Sequence, residues 1–335
     1  MLLLLLGCTP APPPAVPPQT IPGLSGAAPE PGEILTLEAD GHPQLAFQTD
    51  DGLTILTTDG ALLRWIPPAA PITIEHGLVD LTRAGSRLVG LSADGAVLAW
   101  PDRVETTHSG DGLLSADRDS GLIAVLQDGL RVVDADSLEV LWEVEAGPLT
   151  GITIGGGQVF DFDAALLQLT VRDARTGEIR TQRTIRPPHR SHARGSRSRK
   201  SFEEITPQAR AASPGGPRNL QELRGALHYD PTTDRLFFRQ LVLDGRTLES
   251  LGRIPDIDGV LYADQGQIVG RRQGWDGTVS VMDVHPETLA VQGRVPLLRP
   301  EGEPHIFYDP ITEALTLSEP GRDRLLRWNS PLTHP

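Results

Sequence analysis

From about residue 33 to residue 330 the chain alternates short apolar runs with polar turns, and no long stretch carries the 3.6-residue spacing of an amphipathic helix. The apolar runs are rich in Val, Leu and Ile and are bounded by Gly, Asp, Pro and Thr, which predicts strands joined by tight turns. Whole phrases return along the chain. Asp59-Gly60-Ala61-Leu62-Leu63-Arg64-Trp65 comes back 35 residues later as Asp94-Gly95-Ala96-Val97-Leu98-Ala99-Trp100. Weaker echoes begin at Asp128-Gly129 and at Asp323-Arg324-Leu325-Leu326-Arg327-Trp328. A second phrase, His228-Tyr229-Asp230-Pro231, is matched by Phe307-Tyr308-Asp309-Pro310. Asp-Gly and Asp-Pro between apolar runs are hairpin chemistry. The matching Trp65, Trp100 and Trp328 are expected to be packing residues.

A fixed repeat outranks any local motif in deciding a fold. Divided into units of four short strands, the chain gives seven, with first strands near Leu45, Leu78, Leu113, Leu149, Gly225, Gly259 and His305. Third strands end on Asp134, Asp173 and Asp244, each followed by a turn carrying Thr, Ser or Gly. A strand ending in Asp and then such a turn resembles the blades of YVTN-type and quinoprotein-like β-propellers, relatives of the WD-repeat propellers. The resemblance spans about residues 33–330 and is architectural, because no blade has a full WD-repeat signature. It implies an all-β, seven-bladed β-propeller. The last unit has only three strands, and the alternating segment Glu33–Glu38 has no unit of its own. Residues 33–40 are therefore expected to close the last blade and remove an unpaired edge. A two-domain β-sandwich is the rival, and it leaves the spacing unexplained.

Composition narrows the function classes. Glycine (35) and proline (30) are too frequent for a helical bundle, while 39% hydrophobic residues supply a real core. The net charge of −14 opposes nucleic acid as the principal partner. The single cysteine excludes a disulfide framework and a multi-cysteine zinc site.

That cysteine ends the run Met1-Leu2-Leu3-Leu4-Leu5-Leu6-Gly7-Cys8. Leu5-Leu6-Gly7-Cys8 resembles the lipobox of bacterial lipoproteins, which implies a signal segment over residues 1–8 and a lipid on Cys8. The run is too short for a transmembrane helix. It departs from the family pattern in having no basic segment ahead of it and few apolar residues. Thr9 in place of Asp implies, by the same resemblance, an outer-membrane destination. Residues 9–32 hold nine prolines and read as an extended tether. The expected location is the cell envelope, periplasmic or surface-facing, with the membrane reached through the lipid and the chain monomeric.

Strand order assigns loops to faces. Connections from a second to a third strand, and from a fourth to the next first strand, share one face. Three long loops fall there: Arg186–Arg224, Arg271–Gly277 and Leu297–Pro304. Such a face is where a scaffold presents function, although insertions are also tolerated cheaply. Residues 186–200 carry Arg186, Arg190, Arg194, Arg197, Arg199 and Lys200 with no acidic residue, leaving the rest of the chain near −20. This run predicts a disordered basic insertion suited to an anionic partner, or simply a solvated loop. Arg271, Arg272 and Trp275 have the composition of an interface hot spot. The candidate partner-binding residues are thus Arg190, Arg194, Arg197, Arg199, Lys200, Arg271, Arg272 and Trp275.

Catalytic and metal motifs are sparse. Asp117-Arg118-Asp119-Ser120-Gly121 and Asp256-Ile257-Asp258-Gly259 lack the ligand series of a calcium loop and read as turn aspartates. Gly155-Gly156-Gly157 precedes a strand, not a helix, so it is no phosphate cradle. No cofactor is expected. The favoured function is a non-enzymatic protein-binding scaffold working through its long-loop face. The alternative is a propeller hydrolase or lactonase-like enzyme, which would need carboxylates or histidines converging on a metal at the central channel.

Overall fold

The computed structural model describes residues 33–36, 43–49, 52–66, 69–84, 87–94, 96–100, 104–106, 112–117, 119–147, 150–185, 225–264, 266–274, 278–297, 305–309, 314–319 and 324–329. Every described element is a β-strand. The N-terminal strand is β1 (Glu33–Thr36). Blade one follows as β2 (Pro43–Thr49), β3 (Gly52–Thr57), β4 (Leu62–Trp65) and β5 (Ile72–Glu75). Blade two is β6 (Leu78–Ala84), β7 (Arg87–Ser92), β8 (Val97–Trp100) and β9 (Val104–Thr106). Blade three is β10 (Leu113–Ala116), β11 (Leu122–Leu126), β12 (Gly129–Asp134) and β13 (Val140–Glu145). Blade four is β14 (Thr150–Gly155), β15 (Gln158–Asp163), β16 (Gln168–Asp173) and β17 (Ile179–Thr184). Blade five is β18 (Leu227–Asp230), β19 (Arg235–Phe238), β20 (Leu241–Asp244) and β21 (Ser250–Arg253). Blade six is β22 (Gly259–Asp264), β23 (Gln267–Gln273), β24 (Val279–Val284) and β25 (Val291–Pro296). The last strands are β26 (His305–Asp309), β27 (Ala314–Glu319) and β28 (Arg324–Asn329).

The expectation of a seven-bladed propeller closed by residues 33–40 needs correction. Blades made of one continuous four-strand stretch number six, and each pairs its strands in chain order. The remaining four-stranded sheet is not a repeat of that kind: it is a composite of the two chain ends, ordered β1-β28-β27-β26. Its described N-terminal share is Glu33–Thr36, antiparallel to β28 with Glu33 opposite Arg327 and Thr36 opposite Arg324. Residues 37–40 lie outside the described residues, as do the lipobox-like run ending at Cys8 and the proline-rich segment 9–32, expected to be a tether.

Apolar seams join neighbouring sheets all round the ring. Phe47, Leu56 and Leu62 of blade one meet Leu78, Leu81 and Leu98 of blade two. Leu325 of the composite sheet packs with Ile55, Leu63 and Trp65 of blade one. On its other side Tyr308, Leu317 and Trp328 pack with Val269 and Val281 of blade six. The expected packing role of the tryptophans holds: Trp65 and Trp328 are buried, and the half-buried Trp100 ring lies against Gly90 of the adjacent strand.

The seam between blades four and five is the most aromatic. Phe160, Phe162 and Phe238 are fully buried there, with Phe162–Phe238 centroids 4.5 Å apart and Phe160–Tyr229 centroids 4.6 Å apart. Such ring pairs add roughly 0.5–1.5 kcal/mol each beyond their burial. This is the seam that the 186–224 insertion interrupts in sequence, and contacts made outside the insertion hold it together.

Candidate functional site: the long-loop face at blades five and six

The repeated phrases turn out to be local turn devices. In Thr57–Ala61 the Thr57 hydroxyl bonds Asp59, donates to the Ala61 carbonyl at 3.0 Å and accepts the Ala61 N–H at 2.9 Å. Ser92, Asp94 and Ala96 repeat this arrangement. The Ser92 hydroxyl holds the Asp94 carboxyl below its usual range.

The strand-ending aspartates form a second set. Asp134, Asp173 and Asp244 each accept backbone N–H groups two and three residues on, at 2.7–3.1 Å. These N–H bonds, led by those of Ser137, Thr176 and Thr247, hold the three carboxyls low. In blade six the place is taken by His285, whose Nδ1 accepts from Glu287 at 3.1 Å and Thr288 at 3.3 Å. The fifth residue of each turn is left-handed: Leu138 (φ 56), Gly177 (φ 75), Leu248 (φ 57) and Leu289 (φ 58). Leucine accepts that strain at three of them: Leu138 and Leu248 bury their side chains in the seams, and Leu289 packs half-buried against another.

The two candidate calcium loops are turns, as their residue pattern indicates. Asp117 accepts from the Asp119 N–H at 3.1 Å and the Ser120 hydroxyl at 2.7 Å. Asp256 pairs with Arg272 at 3.1 Å, and Asp258 accepts the Gln273 N–H at 2.6 Å. Gly156 (φ 56) and Gly157 (φ 71) form the two-residue turn between β14 and β15, with the left-handed pair that a twisted hairpin requires.

Around the channel the polar groups of the inner strands are engaged between blades. Asp80 on β6 accepts the Leu114 N–H of β10 at 2.8 Å. Ser115 on β10 accepts the Ile154 N–H of β14 at 3.2 Å. His228 on β18 lies with Nε2 2.9 Å from the Gly225 carbonyl, and its ring also bonds the backbone of Val260 on β22. Burial drives the His228 pKa down to about 4, against the pull of those two backbone groups. Each side chain bridges one inner strand to the free edge of the next. Among the described residues no three His, Cys, Asp or Glu side chains come together as metal ligands.

The long-loop face has a charged corner at blades five and six. Arg271 and Arg272 lie just before Gln273, the last residue of β23. Arg272 is tied to Asp256, and the Arg271 carbonyl accepts the Asp258 N–H at 2.7 Å, so the 254–258 loop fixes the arginine backbone. Arg271 is exposed, and its charge is felt by the His228 ring. His228 stands three residues after Gly225, where the chain returns from the basic insertion. His228, just after the chain returns from the 186–224 segment, and Arg271 of the next blade therefore come together in space. Sequence reasoning placed the 186–224 loop and Arg271 on one face but did not single out His228. Arg190, Arg194, Arg197, Arg199, Lys200 and Trp275 lie outside the described residues.

Among solved structures the chain resembles WD40-type propellers. It matches a chain in the crystal structure of the mitotic checkpoint complex at a TM-score of 0.60 and 11% identity, covering 92% of this chain and 99% of that one. The Neurospora crassa Pan2 WD40 domain matches at a TM-score of 0.56 and 13% identity, over 90% of this chain and 95% of that one. The β-propeller domain of Cps50 (Swd1) from Myceliophteria thermophila matches at 0.57 and 13%, over 90% and 99%. No family model matches the sequence, and no curated protein does. The chain therefore has the WD40-type β-propeller fold, established by shape alone.

Proposed function

We propose that this propeller is a lipid-anchored, non-enzymatic binding platform of the bacterial cell envelope, engaging a protein or another anionic envelope component through its long-loop face. The supporting observation is the meeting of Arg271 and the return point of the basic insertion at Gly225 and His228. Clustered arginines on a rigid scaffold suit carboxylate- or phosphate-bearing surfaces. The chain's own negative charge makes the basic run over residues 186–200 selective, because the rest of the surface repels the same partner. A propeller of this fold also sits within the mitotic checkpoint complex, a multiprotein assembly. Cys8, at the end of its apolar run, supports the anchor through its likeness to a lipobox.

The test is deletion of residues 187–222 from the full-length protein, followed by cross-linking capture from native membranes. Retained folding with loss of specific captured partners supports the reading. Unchanged partners count against it.

A further inference from the structure

One charged side chain is buried in a mostly apolar seam. Arg131 is only 4% exposed. It stands opposite Val125 of β11 and Glu143 of β13. Alternate residues of a strand share a face, so Arg131 lies on the side of blade three that carries Val125 and Val133. Those two pack with Val89, Leu91 and Val97 of blade two. Three residues before the strand-ending aspartate, where blade three has Arg131, blade four has Thr170 and blade five has Leu241. The fold itself therefore does not require an arginine there.

The guanidinium is incompletely paired. Nη2 donates to the buried Gln127 Oε1 at 3.0 Å, while Nε is buried with no acceptor among the described residues. Glu143 and Asp128 act on its charge from a distance, and neither closes an ion pair with it. The Glu143 carboxyl leans instead over Gly129, with Oε1 3.4 Å from where a Cβ on that glycine would stand. Burial disfavours the charged form of Arg131, yet an arginine stays ionised at neutral pH. A buried charged donor left unmatched is costly unless an acceptor comes to it. Gln127 and the exposed Asp128 form the 2→3 turn of blade three on the long-loop face, so an acceptor has a short way in.

We propose that Arg131 is the base of a carboxylate-binding site beside the 2→3 turn of blade three. Nη2 carries a second hydrogen, so with Nε it presents the two-pronged edge that fits the paired oxygens of a carboxylate. Glu143 and Asp128 oppose a doubly charged phosphate and so select a single charge. The carboxylate belongs either to a small free acid or to an acidic side chain of a protein. The site depends neither on the anchor reading of Cys8 nor on the Arg271 corner.

The test is the Tm of the full-length protein near neutral pH at constant ionic strength, with sodium fluoride replaced stepwise by acetate, phosphate or acetyl-aspartyl amide. An anion bound only by the folded chain raises Tm by mass action. Acetate at about ten times its dissociation constant should raise the wild-type Tm by about 3–6 °C, and phosphate should do clearly less. Arg131→Met keeps the stem and removes the fork, so it should lose the acetate response, and Arg131→Lys should lose most of it. If Arg131→Met does not fold, Arg131→Lys carries the comparison. A response to the aspartyl amide as well supports the site and assigns it to a protein side chain, while a response to acetate alone supports it and assigns it to a small acid. No acetate response in the wild type overturns the proposal and leaves Nε to a bound water or to Glu143. An equal response in the variants, or a phosphate response as large as that to acetate, overturns it too.

Discussion

Tyr229 of blade five accepts a hydrogen bond from Gln158 of blade four at 3.3 Å and donates one to Asp234 at 2.7 Å. The tyrosine ring lies flush on the backbone of Gly155 and Gly156. Two blades on, Tyr308 of the composite sheet pairs with Gln267 of blade six at 3.0 Å. In both cases the tyrosine is the next-to-last residue of an inner strand, and the glutamine opens the second strand of the preceding blade. The repeated phrase around Tyr229 and Tyr308 is thus a clamp between successive sheets.

Removing one half of this clamp strands the other. Tyr229→Phe strands the buried Gln158, while the half-buried Asp234 keeps Arg246 at 2.7 Å, at a cost of about 1–3 kcal/mol. Chemical denaturation of Tyr229→Phe, Gln158→Leu and the double variant should show a coupling energy of at least about 0.5 kcal/mol. Additive losses would show that the bond contributes nothing of its own.

Gly155→Ala tests the same seam through sterics. A Cβ there would stand 2.9 Å from the Tyr229 ring, and forcing the ring outward should cost about 1–3 kcal/mol. A wild-type Tm in this variant would mean that the ring moves freely.

Closure of the ring depends on β1. A chain starting at residue 37 loses four register pairs to β28 and exposes the edge of the composite sheet. Its Tm should fall by more than about 5 °C, taking 1 kcal/mol as roughly 2–4 °C in a domain of this size. An unchanged Tm would mean that the two chain ends do not stabilise each other.

His228 makes stability depend on pH with a definite sign. Its folded pKa is about 4, below the ordinary 6.5, so the folded state binds fewer protons than the unfolded state between those values. Stability should fall as pH drops from about 6.5 to about 4, by about 1–2 kcal/mol after allowing for the partial exposure of the ring. His228→Gln should flatten this window and leave intact the later loss, as pH falls through the carboxylate range, that comes from Asp134, Asp173 and Asp244. Urea titrations at pH 7, 5.5 and 4.5 on both proteins decide it, and equal pH dependence would contradict the assignment.

The turn set predicts a stabilising change. Three of four equivalent turns use Asp where blade six uses His285. His285→Asp gives the Glu287 and Thr288 N–H groups a charged acceptor and should raise Tm slightly at pH 7, by a few tenths to about 1 kcal/mol in stability. A clear loss of stability would show that the His ring makes a contribution the other turns lack.

What could be read in the sequence was whatever is local. The Asp-Gly and Asp-turn devices act within four residues, so their residue types declare them. The blade spacing follows for the same reason. The couplings between blades were hidden because they join distant residues: Gln158 and Tyr229 are 71 positions apart, with the insertion between them. His228 opens a repeated phrase whose other copy has Phe307 at that place, so nothing local declared its role, which depends on which inner strand lies beside it. The closing strand was expected at 33–40 because the apolar alternation continues to Glu38, and Glu33–Thr36 is the part of it that the described residues pair with β28.

The central claim is that the long-loop face at blades five and six, marked by Arg271 and Arg272, is the binding surface. The most direct measurement is quantitative cross-linking capture from native membranes with the wild type and with Arg271→Glu/Arg272→Glu, both checked for equal Tm. The account predicts that the variant keeps its fold and loses at least about tenfold in yield of the specific partner. Equal capture by the two proteins would contradict it.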